Sequence, residues 1–294
     1  MRSASEFRPD RALFAEGRKN GSTRTPRVRS GILGFRQVGL PLWLLLASLS
    51  VAFAQRQAEQ RPPPLDPAQG KSEARELVAE LLAQKPAQNA TNTGQLRIRD
   101  RDGYVQEIQA RFEITCTPTN WLSVYEVLNP AGGAGKVRLL VIHTDNQPNQ
   151  YQLAESGHSG AANPAPRELS PSQTMVPFAG SDFWVADLGL EFLHWPEQRL
   201  LRKEMRHSKS CGVLESVNPQ PAPGGYARVV SWITLESPHG IVHADAYDAH
   251  NELIKLFDPV NLEKVHGDYQ LVEVEMRNRK TGSHTWIKFD VARE

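Results

Sequence analysis

Cysteine is nearly absent: Cys116 and Cys211 are the only two in 294 residues. At most one disulfide is available, and the residues leave a Cys116–Cys211 bridge open against two buried free thiols. Enzyme signatures are missing as well. There is no Gly-rich phosphate loop, no nucleophile elbow, no CxxC and no HExxH, so neither an enzyme nor a cofactor is predicted. A basic excess is missing too. The formal net charge is +1, but residues 1–54 hold 9 of the 34 Lys and Arg and only 3 of the 33 Asp and Glu. Residues 55–294 carry 25 basic against 30 acidic residues, a net of −5. Nucleic acid and anionic lipid surfaces both call for a basic face, and neither is expected as a partner.

A hydrophobic run of spanning length is also lacking. The apolar stretch Leu40–Ala54 is shorter than the ~20 residues a transmembrane helix needs. It is preceded by Arg27, Arg29 and Arg36 and ends in Ala52-Phe53-Ala54. Positive charge, a short apolar core and small residues at the end form the three parts of a secretory leader, with cleavage expected before Gln55. Gln55 and Arg56, not Cys, stand directly after that point, so no bacterial lipidation is expected. The expected organisation is a leader over 1–54, a disordered Pro- and Gln-rich linker over 55–71 and one domain over 72–292, located in the periplasm.

Within that domain, residues 72–84 read as an amphipathic helix capped by Ser72 and stopped by Pro86. From residue 104 onward, short alternating segments predict about eleven strands joined by tight turns, with a bulge near Glu107. A surface loop is expected over 155–177. Residues 181–195 read as a second helix, opened by Ser181 and stopped by Pro196. The fold class is mainly β with helices: a strongly curved antiparallel sheet, forming an incomplete β-barrel closed by the two helices.

Two groups of residues invite a chemical reading. His239, His243 and Asp245 are the nearest approach to a ligand cluster, but a polar strand surface explains them, and no metal is predicted. Asp182, Asp187 and Glu191 are explained by the solubility of the second helix. That helix is the stronger signal. A helix packing on one face needs an apolar stripe of little more than 100°, whereas this one is apolar over most of its circumference. The surplus needs a second apolar surface, either core or ligand. A cavity lined by Phe183, Trp184 and Leu188 from the helix and by Trp232 and Ile233 from the sheet is the candidate site.

Several segments together then carry a family likeness. These are FAGSDFWVADLGLEFLHWP with Ser181-Asp182, CGVLESVNP with Cys211–Glu215, YARVVSWI, YDAHNELIKLF, and VEVEMRNRKTGSHTWIKF with Met276 to Thr285. In order and spacing they resemble the outer-membrane lipoprotein-sorting protein family, which shares the half-barrel fold of the periplasmic LolA/LolB-like carriers. The likeness covers roughly residues 72–292. It implies an incomplete barrel lidded by helices and a cavity that hides lipid or lipoprotein acyl chains from water. It also implies inner- and outer-membrane lipoprotein transport components as partners. The arginine that couples lid opening to release in those carriers finds no match in Arg97, Arg99, Arg101 or Arg111.

Overall fold

The computed structural model describes residues 62–128, 135–145, 147–156, 165–265 and 268–290, all within the compact unit Gln55–Glu294. The leader and its cleavage site lie outside the described residues.

Helix α1 spans Pro67–Leu82, starting ahead of the helix expected over 72–84. The cap is Asp66 rather than Ser72. Its carboxylate accepts from the Ala68 and Gln69 amides at 2.9 and 3.2 Å, and Pro67 takes the first turn, where its missing N–H costs nothing. Gly70, Ala74, Leu77 and Val78 recur at helical spacing and are buried. Ala74, Leu77 and Val78 form one wall of an apolar cluster with Leu200, Leu214 and Ile233 of the sheet.

Thirteen strands make one antiparallel sheet. They are β1 Ala90–Arg99, β2 Val105–Cys116, β3 Asn120–Leu128, β4 Lys136–Thr144, β5 Gln150–Ser156, β6 Arg167–Leu169, β7 Glu197–Arg206, β8 Lys209–Val217, β9 Arg228–Thr234, β10 Ile241–Tyr247, β11 Leu253–Val265, β12 Asp268–Asn278 and β13 His284–Phe289. The spatial order is β6-β5-β4-β3-β2-β1-β13-β12-β11-β10-β9-β8-β7. The sheet is therefore two meanders joined at a central β1–β13 seam, and it does not close into a barrel: β6 and β7 are its edges. The bulge expected near Glu107 is absent, since β2 pairs with both neighbours without a register shift. Val105 simply faces solvent at the strand end.

This topology sets the central problem of the fold. The chain leaves the sheet at one edge, after β6, and must re-enter at the other, before β7. Residues 170–196 make that crossing over one face, here called the inner face. They do so as short pieces rather than as the predicted helix over 181–195: a 3-10 turn Pro171–Gln173, helix α2 Val185–Leu188 and a 3-10 helix Glu191–His194. The break has a local cause. A Cβ at Gly189 would lie 2.2 Å from the Tyr151 hydroxyl, and Leu190 is left-handed with φ 50°. Close approach to the sheet displaces helical geometry at these two residues.

The inner face bends round the crossing. Tyr151 of β5 donates to Glu191 at 2.7 Å, and Tyr226, just ahead of β9, donates to Asp187 at 2.9 Å. Strands β5 and β9 are nine positions apart in the sheet. At about 4.8 Å per strand a flat sheet would separate them by about 43 Å. Both reach side chains four residues apart, so the sheet curls. The apolar inner face, with Leu96, Ile108, Leu139, Val141, Val274 and Ile287, packs on Phe178, Phe183 and Val185 of the crossing. That packing accounts for the surplus apolar surface of residues 181–195.

The two thiols are free and unbridged. Cys116 ends β2, whereas Cys211 is buried in β8, seven sheet positions away.

Candidate functional site

Under the far half of the crossing, the inner face leaves a cavity of about 40 Å³. Its apolar wall includes Leu190 and Phe192 from the crossing, and Val229, Ala246, Phe257 and Met276 from β9–β12. Two charged residues join that wall, Asp187 and Lys255. Lys255 belongs to β11, in phase with the inward Phe257, and is only 2% exposed.

The Lys255 ammonium has one short hydrogen bond, donated to the Asp182 carbonyl at 2.6 Å. It lies 3.6 Å from the Asp187 carboxylate and 3.5 Å above the Trp184 ring. Trp184 in turn stacks on Tyr226, ring centres 4.5 Å apart. Asp187 accepts from the Trp184 amide at 2.7 Å and from the Tyr226 hydroxyl. The Asp182 carboxylate accepts from Ser283 at 2.6 Å and Thr285 at 2.8 Å, beside β13 and within it. Each polar group here ties the crossing to the sheet.

Burial governs the protonation of this cluster. Loss of water pushes the Asp187 carboxyl up, although Lys255, the Trp184 amide and Tyr226 pull the other way. Desolvation lowers Lys255 to about 8, against the attraction of Asp187 and Asp182. Beyond it, Glu191 is buried and raised by desolvation, with the Tyr151 hydroxyl opposing. Asn149 donates to the Gly189 carbonyl at 2.7 Å, and Tyr125 to the Leu188 carbonyl at 3.0 Å.

The structure corrects several expectations. Asp182, Asp187 and Glu191 do not solubilise a helix; Asp182 and Glu191 are buried against the sheet, and Asp187 is partly buried beside Lys255. None of the five predicted lining residues borders this cavity. Phe183 and Leu188 pack with the Leu96 and Leu139 cluster. Trp184 lies behind the wall on Tyr226, and Ile233 packs with α1. Trp232 is on the opposite, outer face, because alternate residues of β9 point to opposite sides. The β9 residue that does reach the cavity is Val229, in phase with Ile233. Lys255 carries no motif. Only its inward phase within ELIKLF hinted at burial.

The outer face explains His243 and Asp245. His243 is buried, with Nε2 2.8 Å from Asp245 and Nδ1 2.5 Å from Asp258. Arg277 holds the other Asp258 oxygen at 3.0 Å, and the Trp232 ring packs edge-on against the imidazole. His239 lies apart, bonded to Glu80 of α1 at 2.9 Å. Among the described residues no group of three His, Cys, Asp or Glu is placed to hold a metal ion. Desolvation lowers the His243 value, but Asp245 and Asp258 outweigh it and the net shift is upward. Two carboxylates need both ring nitrogens as donors, which only the imidazolium supplies.

This charge makes stability depend on pH. With the folded value above the unfolded 6.5, the stabilisation from His243 is complete below about pH 6.5 and is lost as pH rises through the folded value. Urea denaturation of wild type and His243→Gln at pH 6 and pH 9 is expected to show a gap that narrows on the alkaline side. A gap that stays constant contradicts the charged-imidazole account.

Comparison with known proteins places this architecture. Three solved structures share the fold. A DUF1329 family protein from Desulfovibrio piger is 20% identical with TM-score 0.57, covering 74% of this chain and 90% of that one. A domain named for outer-membrane lipoprotein sorting, from Vibrio parahaemolyticus, is 17% identical with TM-score 0.60, covering 77% and 92%. A LolA superfamily protein from Nitrosomonas europaea is 18% identical with TM-score 0.50, covering 78% and 95%. No curated protein matches the sequence. A family model described as an uncharacterized protein matches residues 124–293, more than half of the chain. The chain therefore belongs to that uncharacterized protein family, and its fold is the one shared with the LolA superfamily.

Proposed function

We propose that this protein is a periplasmic carrier or binder of lipid or lipoprotein acyl chains, holding them by apolar contact between the crossing segment and the inner face. The observation that carries this reading is the apolar cavity beneath residues 187–192, in a fold shared with a lipoprotein-sorting domain. Each methylene removed from water contributes ~0.8 kcal/mol, so part of one chain is enough to hold a cargo. The crossing acts as the lid. In this closed form the cavity, about 40 Å³, is far below the ~300 Å³ of small ligand pockets, so loading requires the lid to lift. Lys255, with its bond to the Asp182 carbonyl and its ion pair to Asp187, is the latch. The proposal includes export through a leader over 1–54 with a mature N-terminus at Gln55. N-terminal sequencing of the fractionated protein tests that part.

The small cavity also favours a second reading: an interaction module with a filled core and no lipid ligand. Uptake of a fluorescent fatty acid separates the two. Wild type is expected to bind the probe, and native mass spectrometry of protein from its own periplasm to show co-purifying lipid. Ala246→Leu, which fills the cavity, is expected to reduce binding about tenfold or more while the melting temperature stays within a few degrees. No probe uptake and no co-purifying lipid leaves the filled-core reading standing.

A further inference from the structure

Beyond the cavity the inner face runs out onto a two-stranded ribbon. β10 pairs with β11 only as far as Phe257, and β13 pairs with β12 only as far as Glu273. Past those points β11 and β12 have each other as sole strand partners among the described residues. The register gives the ribbon its faces, since residues paired across an antiparallel ladder share a side. Phe257 pairs with Met276 on the cavity wall, and Pro259 with the inward Val274. The pairing then skips Val260, and Asn261 meets Glu273, which is in phase with Glu275 and Arg277 of the outer face. Leu262, the next residue, therefore turns back to the inner side, where it pairs with Leu271. Leu262 is 57% exposed and Leu271 39%.

We propose that Leu262 and Leu271 extend the acyl site: the cavity takes one end of a long chain, the ribbon carries the rest, and the protein thereby selects long chains over short ones. The proposal rests on the reading that the cavity takes an acyl chain. The pairs Phe257–Met276, Pro259–Val274 and Leu262–Leu271 make one inward track with no charged member. At about 3.3 Å per residue, Leu262 stands about 16 Å along β11 from Phe257. The closed cavity, about 40 Å³, leaves most of a chain of that length to find apolar cover elsewhere. The bare leucines offer that cover in line with the cavity wall, and bare aliphatic side chains grouped on one face mark a contact surface. An anionic bilayer is a poor alternative occupant, because Glu263, Asp268 and Glu273 outnumber Lys264 on the ribbon.

Competition of decanoate and hexadecanoate against the fluorescent fatty acid is the test, run on wild type and on the double variant Leu262→Ser, Leu271→Ser. The double variant is expected to bind hexadecanoate about tenfold or more weakly, and decanoate within about twofold of wild type. Its melting temperature is expected to stay within a few degrees, since both side chains are exposed. Leu262→Met with Leu271→Met, which keeps the apolar surface, is expected to bind both chains as wild type does. Unchanged hexadecanoate binding by the serine variant overturns the track and leaves the carrier reading intact. Equal weakening for both chains also overturns it, because the leucines then act on the crossing or the cavity and not on chain length. Co-sedimentation of wild type with phosphatidylglycerol vesicles, or dimerisation in solution, that the serine variant loses with no change in hexadecanoate affinity assigns the leucines to a membrane or to a second copy and overturns the track too. Wild type that binds neither chain removes the carrier reading and the track together.

Discussion

Lys255→Met is expected to destabilise the fold by about 3–5 kcal/mol, the cost of breaking a buried ion pair from one side. The ammonium is the sole cation drawn into the Asp187–Asp182 cluster by an ion pair or hydrogen bond among the described residues. Its loss leaves the Asp187 carboxylate without compensation in a site already starved of water. Protonation of Asp187 limits the damage but gives up the charge-assisted bond from Tyr226. Urea denaturation at pH 7 measures the loss. Addition of Asp187→Leu to Lys255→Met is expected to recover most of it, since a neutral, filled site replaces an orphaned charge. Amide hydrogen exchange over residues 185–194 is expected to quicken in the single variant before the strands respond. A cost below about 1 kcal/mol means that apolar packing, and not Lys255, holds the crossing down.

Gly94→Ala is expected to cost about 3 kcal/mol or more, through backbone rather than charge. Gly94 lies in β1 opposite Phe289, at the seam that joins the two meanders. A Cβ there would stand 2.0 Å from the Lys288 carbonyl oxygen and 3.2 Å from the Phe112 ring. The ring has its own partner, Phe289, at 4.8 Å between centres. The Lys288 carbonyl cannot withdraw without parting β1 from β13, and no other strand pair bridges the two halves among the described residues. The urea midpoint should fall, and exchange should quicken first at the amides of β1 and β13. A change below about 1 kcal/mol shows that the seam tolerates a local shift and is not the weak line of the sheet.

Much of the sheet was legible because alternation is a direct print of burial on one face. Strands β2 to β5 and β7 to β13 each overlap an expected segment. β1 did not declare itself: ATNTGQLRIR is mostly polar, and at Gly94 the Phe112 ring of β2 supplies apolar bulk beside it. β6 is three residues, too short for any period. The 181–195 helix failed for the opposite reason. Its residues are apolar on all sides because they cross the inside of the sheet, and a buried crossing reads the same as a helix wanting a second surface. The break at Gly189–Leu190 depends on Tyr151, distant in sequence.

The candidate site was legible in location and not in membership. The crossing was marked by its excess of apolar residues, yet the cavity is lined by Leu190, Phe192, Val229 and Lys255 instead of Trp184, Leu188 or Trp232. A single residue of phase on β9 exchanges Trp232 for its inward neighbours, and periodicity alone does not say which face is inside. An antiparallel, mainly β chain, an apolar stretch between two sets of strands, and the family likeness can all be read from residue order, since these depend on local pattern. It took the folded arrangement of strands to bury Asp182 and Glu191, to bring Lys255 of β11 to Asp182 and Asp187, and to set His243 between Asp245 and Asp258. Charged side chains look alike in sequence whether solvated or paired. Their partners come from strands whose contact is set by sheet register and curl.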